Sequence, residues 1–148
     1  MRDYGKLYSR FWTNPDIDGL SVHAKLLCVY LLTNGHSNAL GCYKLPLAYV
    51  ACDLRMSHAE LRRDLAALER IRFSLYDEEA EFVFVRHFLK FNPIENSNQG
   101  TAIARLFDSV PPSSWIHEPL VDAVIDFCPR FLPGPFLNTL KTERMGRS

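Results

Sequence analysis

Residues 54–88, LRMSHAELRRDLAALERIRFSLYDEEAEFVFVRHF, decide the fold. Ser57 stands where a helix N-cap belongs, able to accept a hydrogen bond from the backbone N–H of Glu60 or a neighbour, and the residues after it keep a helical period. Leu61, Leu65 and Leu68 fall on one side of that helix and are expected to face a core. Beyond it lie two runs rich in aromatic and β-branched residues, Ile71 to Tyr76 and Phe82 to Phe88, around the acidic stretch DEEAE. That pattern predicts a β-hairpin.

Upstream, Leu47, Val50, Ala51 and Leu54 give a second helix one apolar stripe, with Pro46 expected at its first position. Two helices separated by a few residues, the second opening on a serine, match a helix-turn-helix. Leu40 to Lys44 reads as a short extended piece. Before it, LSVHAKLLCVYLLTNGHSN predicts a helix capped by Ser21 and closed at Asn34-Gly35, apolar nearly all round from Leu26 to Leu32 and therefore central to the core. The opening KLYSRFWTNPDIDG is expected to be a short strand or arm followed by a turn. Helix, short strand, helix, turn, helix, hairpin is the layout of a winged helix, so the expectation is an α+β winged helix-turn-helix domain over residues 1–92.

Past Leu89 the texture changes. KFNPIENSNQG reads as a joint, TAIARLFDSV as one helix, and residues 118–127 as another, with Leu120, Val121, Val124 and Phe127 on one face. Pro129, Pro133 and Pro135 forbid a long continuation of that helix, and the final KTERMGRS is expected to fray. Residues 93–148 are thus expected to form a joint and a small, mainly helical extension.

Composition narrows the function. Seventeen Lys+Arg balance seventeen Asp+Glu in 148 residues, so no net field draws in nucleic acid or an anionic membrane, and any DNA contact must rest on local patterning. Cys28, Cys42, Cys52 and Cys128 form no CxxC pair and read as free thiols in a reducing cytoplasm. The amino-terminal MRDYGKLYSRFW has no apolar core of a signal peptide, and Leu26 to Leu32 is too short to cross a bilayer. The five histidines are scattered, and there is no HExxH, GxxxxGK[ST] or GxGxxG, so neither catalysis, a metal nor a cofactor is expected.

Local patterning does exist on the helix at 57–70. Opposite its leucines lie Arg63 and Arg70 with Ala59 and Ala66 between them, and Arg62 on the flank. Alanine permits close approach to a groove floor, while arginine offers a planar fork for guanine edges or phosphates. Ser57 and His58 at the helix start, and Arg55 before it, complete the candidate DNA-binding set: Ser57, His58, Arg62, Arg63, Arg70 and Arg55. The plainer reading is a solvated face in which Glu60, Asp64 and Glu69 pair with Arg62 or Arg63. The acidic hairpin tip, Asp77, Glu78, Glu79 and Glu81, would repel phosphates, so either the wing points away from DNA or this surface meets a basic protein.

Three blocks carry a resemblance: RDYGKLYSRFW, then YLLTNGHSNALGCYKLPLAY, and LYDEEAEFVFV with the exit FNPIENSNQ. Together, over roughly residues 1–100, they resemble the N-terminal module of phage- and prophage-type replication-initiation proteins. The resemblance implies a winged helix that binds origin DNA through the helix at 57–70, Arg62 and Arg63 foremost, and downstream segments that dock a host helicase or its loader. Zero net charge, an acidic wing tip and a short C-terminal part depart from that pattern. Two other expectations stand beside non-enzymatic DNA binding. One is a protein-interaction or homodimer module using the apolar hairpin and WIHEPLVDAVIDF; the other is a transcriptional regulator with the same DNA chemistry.

Overall fold

The computed structural model describes residues 2–147. Residues 2–8 form the arm alternative of the expected strand or arm, with no strand structure, and pack on later residues through Tyr8 and Phe91. Ser9–Phe11 form a 3-10 turn that buries Phe11, and the turn-forming residues after it build a helix, α1 (Pro15–Asp18). Asn14 caps it by accepting from the Asp16 N–H at 2.9 Å, and Pro15 fits the first turn, where no N–H is needed. Helix α2 (Val22–Thr33) starts on Ser21, whose hydroxyl accepts from the Ala24 N–H at 3.1 Å. It buries Leu27, Cys28 and Leu31 but leaves Val22 and Leu26 open to solvent. Asn34 closes it: its Nδ2 donates to the Tyr30 carbonyl and to the Tyr43 hydroxyl, which itself donates to the Leu31 carbonyl at 2.6 Å.

Strand β1 (Cys42–Lys44) leads to α3 (Leu47–Leu54), for which Pro46 is the N-cap residue rather than the first helical one. Then come α4 (His58–Arg70) and the hairpin of β2 (Ser74–Asp77) and β3 (Phe82–Val85). A single turn, α5 (Phe88–Phe91), precedes α6 (Ser97–Asp108) and α7 (His117–Phe127). The prolines do end α7, as expected, but they then start another helix: α8 (Gly134–Met145), with Pro135 in its first turn. As far as Arg147 the tail is not frayed, since Arg144 reaches Asp126 at 2.9 Å and Arg147 reaches Asp122 at 2.8 Å; Ser148 lies outside the described residues. Among the described residues the chain is thus an α+β fold of eight α-helices and one three-stranded antiparallel sheet.

The sheet order is β1-β3-β2, with Cys42 and Leu75 both opposite Phe84, and Tyr43 and Tyr76 both opposite Val83. Because side chains alternate along a strand, β3 divides its residues between two cores. Val83 and Val85 join Leu27, Leu31, Leu61 and Leu68 from α2 and α4. Phe82 and Phe84 join Ile103, Leu120, Val124 and Leu140 from α6, α7 and α8. The segment after residue 92 therefore forms the second layer over the sheet.

Two local devices hold these layers in register. Gly41 has φ +73 and its carbonyl accepts from the Val85 N–H at 2.8 Å, extending the β1–β3 ladder; a Cβ there would collide with the Phe88 ring. Asp77, buried at the end of β2, accepts from the Glu79 and Ala80 N–H groups through Oδ1 and so folds the hairpin turn. Its Oδ2 accepts from the Ser114 hydroxyl at 2.6 Å, tying the α6–α7 loop to the sheet. Ser114→Ala would leave that carboxylate oxygen without its partner. The expected cost is about 1–3 kcal/mol, read as a lower urea midpoint with an unchanged m-value.

Candidate nucleic-acid interface

Helix α4 opens on a reciprocal cap. The Ser57 hydroxyl accepts from the Glu60 N–H at 3.1 Å and donates to Glu60 Oε1 at 3.0 Å, while the Ser57 N–H reaches the same carboxylate at 3.5 Å. Glu60 and Ser57 are thereby committed to the helix start. The inward side carries Leu61 and Leu68, both fully buried, but the helix is rolled further than the leucine spacing predicts: Asp64 is buried and Leu65 only partly so. Asp64 Oδ1 lies 3.5 Å from Arg63 Nε, and its Oδ2 has no hydrogen-bond partner among the described residues.

The outward side exposes Ala59, Arg62, Arg63, Ala66 and Arg70, together with His58 at the first position. Its three arginines do not share one environment. Arg62 leans toward the hairpin turn, where Nε and Nη2 both donate to Glu78 Oε1, at 2.9 and 2.7 Å, and Nε also reaches Oε2 at 3.1 Å. Arg63 and Arg70 lie on the other flank, beside a shallow groove of about 480 Å³ that α4 forms with α1 and the start of α2. Arg55 is exposed and ends α3 in the left-handed region, at φ +53, so its backbone is fixed by the turn between the helices.

Of the pairing expected along the helix, Arg63 with Asp64 is present at 3.5 Å, while Arg62 pairs instead with Glu78 of the hairpin turn. The Arg62–Glu78 pair also places the acidic hairpin turn beside α4, close enough for one of its carboxylates to grip the helix. The Arg62 guanidinium holds the Glu78 carboxyl below the ordinary glutamate range, with a smaller contribution from the charge of His58, and Glu78 in turn raises Arg62. On this face Arg62 is already engaged by a carboxylate.

Among the described residues no group of three His, Cys, Asp or Glu side chains could hold a metal ion, and no helix is long and apolar enough to cross a membrane. The four cysteines are unpaired; burial pushes the thiols of Cys28 and Cys128 up to about 12 and raises Cys42 as well, which leaves them protonated at neutral pH. The apolar hairpin and the 115–127 segment, expected as a surface for a protein partner, are largely internal: Phe82, Val83, Phe84, Val85, Leu120, Val121 and Val124 are all buried, although Trp115 is half exposed.

A second group of cations was not singled out in the sequence. Lys6, Arg10 and Arg72 line one groove with His87 at the end of the hairpin remote from its turn. Three separate segments supply them, so no local spacing announces the cluster. Comparison of the chain with protein-family models, curated proteins and solved structures finds no match.

The exposed ion pair has a pH signature. Because the folded Glu78 pKa is depressed, the pair's contribution to stability is fully present above the unfolded carboxyl value of about 4.3 and is lost as pH falls through the lower folded value. In an NMR titration of the Glu78 carboxyl, Arg62→Ala is expected to move the midpoint upward, toward that of a free glutamate. An unchanged midpoint would show that Arg62 does not hold this carboxylate in solution.

Proposed function

We propose that this chain is a non-enzymatic winged-helix protein that binds duplex DNA through the outward face of α4, in replication initiation of the phage type. The observation that carries the reading is the exposed Arg–Ala face of α4, with Arg62, Arg63 and Arg70 around Ala59 and Ala66, mounted on a sheet of order β1-β3-β2 with the hairpin beside it. Helix, strand, two helices and a hairpin in that order are the parts of a winged helix, and small residues between arginines suit a helix laid against a groove. His58 and the Ser57 cap place the helix N-terminus, with its partial positive charge, at the same surface. Arg55 stands next to it on the turn. The assignment to replication initiation rests on the resemblance of residues 1–100. On this reading a helicase or its loader would meet the outer surfaces of α6–α8, whose inner faces are committed to the sheet.

Glu78 gives the reading a specific mechanism. A DNA phosphate approaching Arg62 takes the place of the Glu78 carboxylate, so part of the electrostatic gain offsets the loss of an existing pair. Affinity is therefore modest, and discrimination falls more heavily on Arg63 and Arg70.

The test is duplex binding by fluorescence anisotropy across a salt series. Arg62→Ala/Arg63→Ala is expected to weaken binding and to make the slope of log K against log salt shallower by about two at most. Glu78→Gln is expected to tighten binding a few fold, because it removes both a competitor for Arg62 and a charge that repels phosphate. No duplex binding by the wild type at low salt would sink the DNA reading, and with it that of a transcriptional regulator, and would leave a protein-interaction module.

A further inference from the structure

Charge is distributed unevenly along the hairpin. Its turn holds Asp77, Glu78, Glu79 and Glu81, whereas its other end, where the Arg86 N–H donates to the Phe73 carbonyl at 3.0 Å, carries Arg72, Arg86, His87 and Lys90. The N-terminal segment runs across this basic end. Between the two lies a groove of about 650 Å³ whose lining includes Lys6, Arg10, Arg72 and His87, a volume within the range of about 300–1,000 Å³ typical of small-ligand sites.

These cations lack neutralising partners. Among the described residues, Lys6, Arg10, Arg72 and Arg86 have no carboxylate oxygen within 4.0 Å, and Asp16 is the one acid on the groove lining. Repulsion among the cations at the hairpin end registers in Arg86 and His87. Arg86 is lowered by burial and by Arg72, against a smaller opposing effect of Glu69. His87 is lowered by burial and then by Lys90, Arg86 and Arg72. Arg72 is also held in the left-handed region, at φ +61, so the turn between α4 and β2 fixes where its side chain starts.

The walls are aromatic. The Arg10 guanidinium lies 5.0 Å from the centre of the Tyr8 ring and 4.9 Å from that of Phe91, and the Tyr8 hydroxyl donates to the Phe91 carbonyl at 3.0 Å. Tyr8 is 44% exposed despite these contacts. A folded chain that gathers cations without counter-charges favours an anion at that place, and ring faces beside them favour a planar group on that anion. Phe91 already carries Arg10 and Lys90 over its ring, so the exposed part of Tyr8 is the surface left for stacking, which neither a simple oxyanion nor a run of acidic side chains would use.

We propose that this groove binds a nucleotide unit, with its phosphate on Lys6, Arg10 and Arg72 and its base against the exposed part of Tyr8. A single nucleic-acid strand and a free nucleotide share that chemistry. The site uses none of Arg62, Arg63 or Arg70 and stands apart from duplex contact by α4.

The experiment measures binding of oligothymidylate, thymidine monophosphate, inorganic phosphate and a polyglutamate peptide to the whole chain. The variants are Arg10→Gln, Arg72→Asn, which tolerates the left-handed backbone, Tyr8→Leu, and Arg63→Ala as a control on α4. Circular dichroism checks that each is folded. The wild type is expected to bind oligothymidylate, with the salt slope reduced by about 0.7 for each phosphate-contacting cation removed. Tyr8→Leu is expected to weaken binding about fivefold or more, and Arg63→Ala to leave it unchanged. Thymidine monophosphate binding as tightly as the oligomer would identify a free nucleotide as the source, and tighter binding of the oligomer would identify a strand; both support the site. The proposal is overturned if neither thymidylate probe binds at low salt, if Arg10→Gln and Arg72→Asn both bind like the wild type, or if phosphate or polyglutamate binds as well as the thymidylates. Loss of duplex binding alone, with these results intact, would count against α4 and not against the groove.

Discussion

Strand β3 is the constraint on which the rest of this structure depends. All four of its residues are buried, and because successive side chains point to opposite faces, the sheet must be covered twice. Helices α1–α4 cover the face of Val83 and Val85, and α6–α8 cover the face of Phe82 and Phe84. A three-stranded sheet covered on one face only would leave two phenylalanines and Leu75 in water. Burying side chains of that size contributes roughly 1.5–3 kcal/mol each, a large share of the stability of a small domain. The C-terminal helices are therefore part of the structural solution, and Asp77 with Ser114 marks the point where turn, sheet and second layer meet.

Charge is organised around the same sheet. With seventeen cations against seventeen anions the chain has no net field, yet its hairpin is acidic at the turn and basic at the opposite end. The acidic end neutralises one arginine of α4, while the basic end leaves several cations without carboxylates. Local electrostatics is thus set by which end of a short hairpin a helix or segment lies against. A sum over the sequence conceals that arrangement.

Local signals in the sequence were reliable where a few neighbouring residues determine the outcome. Ser57 with Glu60 forms the reciprocal cap, Ser21 starts α2, and the DEEAE turn joins two strands. Signals failed where tertiary contacts decide. Asn14, Pro15 and Asp16 read as a turn because the residues that favour turns also start helices, and Pro135 begins α8 for the same reason. Asp64 belongs to the inward side of α4 although its charge argues for the outside, and no leucine spacing reveals it. Within the candidate interface, the exposure of Arg62, Arg63 and Arg70 was legible from helical periodicity. The Glu78 carboxylate on Arg62 was not, because sixteen residues and a hairpin separate them. Lys6, Arg10 and Arg72 were harder still, since the N-terminal segment must first pack beside the far end of the hairpin.

The double covering of β3 also sets an order of events during synthesis. The face of Val83 and Val85 has its helices upstream, so its packing partners exist once β3 itself has left the ribosome. The face of Phe82 and Phe84 must wait for residues as late as Leu140 in α8. At about 5–20 residues per second, that interval lasts several seconds, long on the timescale of hairpin formation. For that time the nascent chain presents a half-finished sheet with a bare aromatic surface, open to a chaperone or to another nascent copy.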